Sequence, residues 1–231
     1  CVSTDLCSRK KFDLGDCECL IVITQNPDGF GLPHTSAIVH EKLELPQSCA
    51  AFDISLGCSG FVYGLSAVTS FMEQNKMSCG LLVTADPYSK VIDNTDRNTS
   101  LLFGDAAAAT LVTREPIWIA GRYVFGTAGK HQKALCVRED RKLKMNGRTV
   151  FTFSATTIPK PIKSTLSKNN LELGDIDYFL LHQGSKYIVD TIAKRLGVAD
   201  RTAFHAGDYG NTVSSSLPIL LSENVPPEAK T

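Results

Sequence analysis

Cys58 has the setting of a cysteine nucleophile. It follows a segment of mostly small or apolar residues, 49–53, that is typical of a short buried strand, and it precedes residues 61–73, whose apolar positions have helical spacing. Gly57 and Gly60 allow other backbone segments to approach the thiol closely. The free amides and the positive dipole end of the following helix favour a thiolate over a thiol. A small buried core cysteine is the alternative interpretation.

His182 and Asn211 supply an imidazole and a carboxamide, which could act on a substrate after Cys58 has accepted an acyl group. His182 directly follows the apolar run 178–181, and Asn211 lies in a Gly-Asn turn. A cysteine accepts an acyl group as a thioester, and an imidazole N–H with a carboxamide N–H stabilises an enolate oxygen. An apolar cavity favours loss of CO2 from a malonyl group, because a carboxylate is costly to hold there. We therefore expect the three side chains to meet in one thioester-sized space. A core histidine bonded to a backbone carbonyl and a plain turn are the alternatives.

The elements that must position these residues alternate between strand and helix patterns. This alternation predicts an α/β fold with mixed sheets covered by helices. The predicted strands are residues 19–24, 49–53, 80–84, 106–112, 117–125 and 178–181. The predicted helices are residues 33–43, 59–75, 150–168 and 186–196, with a further helical run at 217–222. Cys58 and His182 each follow a strand and precede a helix, which places them at carboxyl ends of strands, where α/β sheets usually hold their sites.

Composition excludes several classes of function. The 231 residues are 43% hydrophobic, enough for a proper core, and 24 basic residues balance 24 acidic ones, which argues against a general nucleic-acid binder. No apolar run approaches the roughly 18 residues of a membrane span, and no signal peptide is visible, so we expect a cytoplasmic protein. We interpret the eight cysteines as reduced thiols. Cys17 and Cys19 lack a matching pair at zinc spacing, so no metal site is predicted.

Five stretches of the sequence form a recognisable set in a fixed order. They are residues 51–65 around Cys58; residues 96–97 with Leu102-Phe103-Gly104-Asp105-Ala106; Met145-Asn146-Gly147 with Val150-Phe151; His182-Gln183; and Gly210-Asn211-Thr212. Together they resemble the β-ketoacyl-acyl carrier protein synthase III family of the thiolase-like superfamily. The resemblance implies a thiolase-like α/β fold of two similar βαβαβ halves with mixed sheets and buried helices. Residues 1–115 would form the amino-terminal half with the nucleophile, and residues 116–231 the carboxy-terminal half with the histidine and the asparagine.

The resemblance also implies an activity. Members condense an acyl-CoA starter with malonyl-acyl carrier protein, losing CO2, through an acyl-cysteine intermediate in fatty-acid or polyketide initiation. Cys58 would be the acylated nucleophile, its backbone N–H a donor to the acyl oxyanion, and His182 and Asn211 the pair that binds the malonyl thioester carbonyl. No cofactor is implied beyond the coenzyme A thioester substrate, and a homodimer is expected. Acyl transfer to an oxygen or nitrogen nucleophile, or a non-catalytic homologue, are the alternatives.

Further residues take roles from the same resemblance. Leu32 lies in a loop similar to the one that closes the acyl pocket across the family's dimer, so it is expected to limit acyl length. Gly147 and Phe151 are expected to bind substrate.

The helix after His182 is expected to dock the acidic carrier protein through Lys186, Lys194 and Arg195, an ordinary solvated helix face being the alternative. Ser185 stands where the family commonly has an asparagine, and we expect its hydroxyl to cap this helix.

The sequence is shorter than the family pattern at both ends, so the implied fold is truncated there. The family continues through two further strands and a glycine-rich loop, which supplies a second oxyanion donor beside the cysteine. Such a donor contributes about 3 kcal/mol to transition-state stabilisation in other oxyanion holes. A fragment, ends that were not included, and a shortened homologue are all compatible with the sequence.

Overall fold

A computed structural model describes residues 12–225 of the chain, which divide into two compact units. The first unit takes the described residues up to Pro87, then Asp105–Trp118 and Thr212–Ile219. The second unit takes Tyr88–Gly104, Ile119–Asn211 and the described residues from Leu220 onward.

The first unit is built on a four-stranded mixed sheet. Its strands are β1 (Cys19–Ile23), β2 (Ala50–Ile54), β3 (Cys79–Ala85) and β4 (Ala107–Thr113), in the order β2-β1-β3-β4. β1 runs parallel to β2 and β3, and β4 runs antiparallel to β3. Ile23 lies opposite both Ile54 and Thr84, so the carboxyl ends of the three parallel strands are level.

Helices cover both faces of this sheet, which explains why β1 is apolar at every position. All five β1 residues are buried. Leu20 and Val22 pack in a core that includes Val39 of helix α1 (Thr35–Lys42), whereas Ile21 and Ile23 pack in a core with Val68 of helix α2 (Gly60–Gln74). A central parallel strand buried on both faces has this continuous apolar pattern rather than an alternating one.

The second unit is mainly helical. Its helices are α3 (Arg97–Ser100), α4 (Gly147–Thr157), α5 (Pro159–Lys168) and α6 (Lys186–Leu196), and its short strands β5 (Leu135–Val137) and β6 (Leu143–Met145) pair antiparallel. Phe179, Ile192, Leu196 and Val198 form its apolar core, with Ile158, Ile162 and Ile188 packed against it. The last helix of the described chain is α7 (Ser216–Asn224). None of the helices in the described range 12–225 combines the length and apolar content that crossing a bilayer requires.

The mixed α/β architecture is confirmed, with most predicted elements within a residue or two. β1 to β4, α1, α2 and α6 stand where the patterns predicted them, and α7 covers the run 217–222. The predicted helix 150–168 forms as α4 and α5, with Pro159 opening the second. Proline is tolerated there because the first helical N–H needs no partner within the helix.

The predicted strand 117–125 is wrong. These residues are irregular, and Ile119 is 88% exposed. In place of a partner strand, side chains at the end of α5 bind the backbone. Asn169 accepts from the Arg122 N–H at 2.6 Å and donates to the Arg122 carbonyl at 2.9 Å, and Lys168 donates to the Tyr123 carbonyl at 2.9 Å. An apolar run forms a strand only where another strand lies alongside to pair with it.

The predicted strand 178–181 shrinks to a single bridge. Phe179 pairs in parallel with Thr202, and its N–H donates to the Arg201 carbonyl at 2.8 Å. Phe179 is buried in the core of the second unit, so the apolar pattern correctly indicated burial although no regular ladder forms.

Candidate active site

Cys58 lies in a tight turn between β2 and α2, in the first unit. The turn is closed by a hydrogen bond from the Gly60 N–H to the Gly57 carbonyl at 2.7 Å, with Cys58 and Ser59 at its central positions. Ser59 occupies the N-cap of α2 and makes no side-chain cap. The thiol is therefore fixed at the carboxyl edge of the sheet beside a helix amino terminus, as its sequence setting predicted.

The glycines beside Cys58 are required by close packing. A Cβ on Gly57 would overlap the Gln25 side-chain oxygen, and a Cβ on Gly60 would overlap Ile23 of the central strand. The neighbours that approach are thus side chains, and not the backbone segments that the sequence suggested. Because both contacts come from β1 or the residues just after it, the turn is pressed directly against the end of the central strand.

Electrostatics around Cys58 favour the thiol over the thiolate. Desolvation of the sulfur, the largest cause, and the charge of Asp86 together raise the pKa of Cys58 to about 11, although a hydrogen bond from the residue's own N–H partly offsets them. The expected preference for a thiolate at the helix end is therefore outweighed by burial and by a neighbouring carboxylate.

His182 lies in the second unit between the Phe179 bridge and α6. Its carbonyl accepts from the Gly184 N–H at 2.9 Å, and its ring lies beside Gly184, where an added Cβ would meet ring atoms at 3.4 Å. The neighbouring Gln183 is 3% exposed and fixes this segment. Its amide nitrogen donates to the Leu181 carbonyl at 2.7 Å, and its amide oxygen accepts from the His205 N–H at 3.0 Å.

Burial keeps His182 neutral. Desolvation lowers the pKa of its imidazole from 6.5 to about 4. At neutral pH the ring is uncharged, so it carries one N–H donor and no net charge. This is the protonation state that stabilisation of an enolate by a neutral donor requires.

Asn211 is held by backbone pairing with the Phe103-Gly104 motif of the same unit. Its N–H donates to the Leu102 carbonyl at 2.8 Å, and its carbonyl accepts from the Gly104 N–H at 3.1 Å. Asn211 is 5% exposed, and it follows Gly210, which has φ of 69°. A Cβ on Gly104 would overlap the Tyr209 carbonyl oxygen, so glycine is needed there for the two segments to pair.

The three residues predicted to bind substrate, Leu32, Gly147 and Phe151, lie in different surroundings. Leu32 is 85% exposed in the first unit. Gly147 opens α4 behind the Asn146 cap, and Phe151 stacks on Tyr187 with ring centroids 4.8 Å apart, in the second unit.

The predicted docking residues of α6 differ in how they are held. Lys186 pairs with Asp190 at 2.9 Å, Arg195 donates to the Ala155 carbonyl at 2.7 Å, and Lys194 is exposed. Ser185 caps α6 as predicted, since its hydroxyl accepts from the Ile188 N–H at 3.3 Å.

Cys58 and Leu32 belong to the first unit, and His182, Asn211 and the remaining predicted residues belong to the second. Convergence of the three catalytic candidates on one space stays a prediction. Sequence reasoning missed Asp86, which is fully buried directly after β3. The signal that pointed to His182, a polar residue immediately after an apolar strand, was present there too.

Comparison with known proteins agrees with the motifs. The family model for 3-oxoacyl-[acyl-carrier-protein] synthase III matches residues 52–139, and the model for the C-terminal part of that synthase matches residues 166–229. The chain is 37% identical over 223 residues to the β-ketoacyl-[acyl-carrier-protein] synthase III of Lactococcus lactis subsp. cremoris. That alignment covers 89% of this chain and 67% of the relative, so the chain spans about two thirds of the relative's length.

Solved structures share the fold. The β-ketoacyl-[acyl carrier protein] synthase III of Thermus thermophilus superposes with a TM-score of 0.85 at 32% identity, covering 96% of this chain and 72% of that one. The priming β-ketosynthase of the R1128 polyketide biosynthetic pathway superposes with a TM-score of 0.85 at 28% identity, covering 95% and 71%. The thiolase-like α/β class is thereby confirmed.

Substitution of Gly104 should loosen the segment that carries Asn211. Gly104→Ala places a methyl group on a backbone carbonyl that cannot rotate away, so we expect a loss of about 3 kcal/mol in the free energy of unfolding. Gly147→Ala is the matched control, because its Cβ would have no neighbour closer than 4.0 Å. Chemical denaturation of both variants measures the difference, and equal stabilities would contradict the close approach.

His182 should make the fold sensitive to mild acid. The pKa of His182 is about 4 in the folded chain and 6.5 in the unfolded chain. Between pH 4 and pH 6.5, His182 is therefore protonated in the unfolded chain and neutral in the folded chain. Above pH 6.5 the imidazole is neutral in both states, so its burial does not lower the free energy of unfolding. That free energy falls as the pH drops from 6.5 toward 4. We expect His182→Gln to flatten this dependence, measured by urea unfolding at pH 7, 6 and 5. The exposed His131→Gln should follow the wild type, and a His182→Gln curve parallel to wild type would refute the assignment.

Proposed function

The chain belongs to the 3-oxoacyl-[acyl-carrier-protein] synthase III family, and we propose that it joins an acyl-CoA starter to malonyl-acyl carrier protein by decarboxylating Claisen condensation. This condensing acyltransferase would act in fatty-acid or polyketide initiation. The observation that carries the proposal is the Cys58 thiol, held in a glycine-bounded turn at the carboxyl end of β2 and the start of α2.

In the first half-reaction, Cys58 attacks the carbonyl carbon of the acyl-CoA thioester. The new C–S bond forms as the bond to coenzyme A breaks, and coenzyme A leaves as a thiol with the proton that Cys58 gives up. One neutral thiol thus replaces another, with no net change of charge. The Cys58 N–H, which faces its own sulfur, is proposed as a donor to the oxyanion that forms on the way.

In the second half-reaction, the malonyl thioester loses CO2 and its electron pair passes into an enolate. His182 and Asn211 are proposed to donate hydrogen bonds to the enolate oxygen. The lowered pKa of His182 supports this role, since a neutral imidazole donates without the strong charge attraction that would hold the malonyl carboxylate. The enolate carbon then attacks the acyl-cysteine carbonyl, and a C–C bond forms as the C–S bond breaks. The Cys58 thiolate takes a proton from solvent, which balances the negative charge that the malonyl carboxylate brought in.

The remaining assignments are part of the same proposal. Leu32, Gly147 and Phe151 would contact the acyl-CoA substrate, and the α6 cations Lys186, Lys194 and Arg195 would dock the acidic carrier protein. We further propose a cytoplasmic homodimer that needs no cofactor. The described cysteines carry free thiols, in keeping with a reducing compartment.

Cys58 should be the only acylated residue. Incubation with acetyl-CoA, followed by intact and peptide mass spectrometry, should give one acetyl adduct on the Cys58 peptide, and Cys58→Ala should abolish it. Cys136→Ala removes a partly buried thiol elsewhere and should keep the adduct. An unlabelled wild type, or labelling that survives in Cys58→Ala, contradicts the proposal.

The two half-reactions separate the roles of the other residues. His182→Ala and Asn211→Ala should retain acetylation of Cys58 but lose CO2 release from labelled malonyl-acyl carrier protein by about 100-fold or more, because removing one oxyanion donor has an effect of this size. CO2 release together with a 3-oxoacyl product supports condensation. Acetyl transfer to an oxygen or nitrogen acceptor without CO2 would instead support the alternative acyltransferase activity.

A further inference from the structure

Asp86 is a fully buried carboxylate in the first unit with no place in the proposed reaction. It directly follows β3 at the carboxyl edge of the sheet and has no exposed surface. Its carboxylate accepts hydrogen bonds from the Gln25 N–H at 2.7 Å, from the Ser214 hydroxyl, and from the Ser214 N–H. A buried charge is costly unless it is well bonded, so three donors on one carboxylate indicate that this arrangement is specifically stabilised.

Both residues that Asp86 binds lie against the turn that carries Cys58. The Gln25 side-chain oxygen lies so close to Gly57 that it would overlap an added Cβ, and the Ser214 Cβ is 3.4 Å from the Cβ position of Gly60. These two glycines bound the Cys58 turn on either side. A single carboxylate therefore connects the two groups that confine the nucleophile.

We propose that Asp86 is a positioning residue for Cys58: its carboxylate fixes Gln25 and Ser214, and these fix the turn from Gly57 to Gly60. The inference rests on the proposed role of Cys58 as the nucleophile. The connection reaches the thiol through neighbouring residues, because Asp86 contacts the residues that bound the turn. Rate in the first half-reaction depends on orientation, and small misplacements of a reacting group have large effects.

The charge of Asp86 shows that positioning the Cys58 turn is a different role from activating the thiol. Its donors are two backbone N–H groups and a hydroxyl, all neutral, and burial raises the pKa of Asp86 although these donors lower it. Its negative charge also raises the pKa of Cys58 and so opposes the thiolate. Asp86 thus acts against thiol ionisation while holding the turn, which means that removing its charge and removing one of its hydrogen bonds have different consequences.

Two variants test these consequences separately. Asp86→Asn removes the charge and, because an amide nitrogen cannot accept, also one acceptor atom, whereas Ser214→Ala keeps the charge and removes one hydrogen bond. Asp16→Asn is the matched control, because Asp16 is exposed just before β1, at the opposite edge of the same sheet. Two rates are measured for Cys58 by peptide mass spectrometry: alkylation by iodoacetamide as a function of pH, which reports the thiolate, and acetylation by acetyl-CoA, which also requires orientation.

We expect Asp86→Asn to move the alkylation midpoint to lower pH and to raise the alkylation rate at pH 8 about threefold, equivalent to about half a pKa unit. Ser214→Ala should cause no such downward shift. In both variants the ratio of acetylation to alkylation should fall on the order of tenfold, whereas Asp16→Asn should match the wild type in both rates. A carboxylate that served only the fold would leave the ratio of acetylation to alkylation at Cys58 unchanged.

An Asp86→Asn midpoint within about 0.2 pH units of wild type, or an unchanged ratio in Ser214→Ala, overturns the proposal. If Asp86→Asn does not fold, as judged by circular dichroism, the ratio in Ser214→Ala decides. Failure of acetyl-CoA to label the wild type would overturn the proposed function alone, because the alkylation midpoint still measures the action of Asp86 on Cys58.

Discussion

The parallel pairing of β1 with β2 and β3 is the constraint on which the first unit depends. The five buried residues of β1 fix the register of strand pairing. If β1 slipped by one residue, Leu20 and Val22 would point into the core on the opposite face of the sheet. In the observed register the three strands end level, so Gln25, Cys58 and Asp86 all leave the sheet at one edge. Cys58 and Asp86 are neighbours because the strands that precede them end level in this register.

Close approach, rather than flexibility, explains the glycines that matter. A side chain at position 60 would overlap Ile23, and a side chain at position 104 would overlap the Tyr209 carbonyl, so each position requires glycine. In each case a candidate site residue is next to the contact or bonded to it: Cys58 in the first unit and Asn211 in the second. The glycines in these sequence motifs are therefore explained by packing. The proposed chemistry of Cys58 and Asn211 depends on that packing.

Local signals predicted local features well. Helix α2 and the Ser185 cap depend on neighbours within a few residues along the chain, and each was found where its pattern placed it. The strand predicted at 117–125 failed because strand formation needs a partner, and side chains of α5 took its place. Asp86 directly follows an apolar strand, which is a local signal, but its role depends on a distant partner. Its partner Ser214 lies 128 residues away in sequence, and no local pattern reports such a contact.

Two groups at the centre of the proposed chemistry are kept neutral by the same physical effect. Desolvation raises the pKa of Cys58 to about 11 and lowers that of His182 to about 4, so neither is charged near pH 7. Under the proposed function this has a consequence for the intermediate. A thiol of high pKa is a poor leaving group, and its thiolate is intrinsically a stronger nucleophile once formed. The acyl-cysteine would then be slow to surrender its acyl group to water, a weak nucleophile, and would react with a carbanion-like enolate. A poor leaving group slows attack by water and by the enolate alike, so the preference for carbon over hydrolysis would rest on the stronger nucleophilicity of the enolate and on exclusion of water by the same burial that raises the pKa of the sulfur.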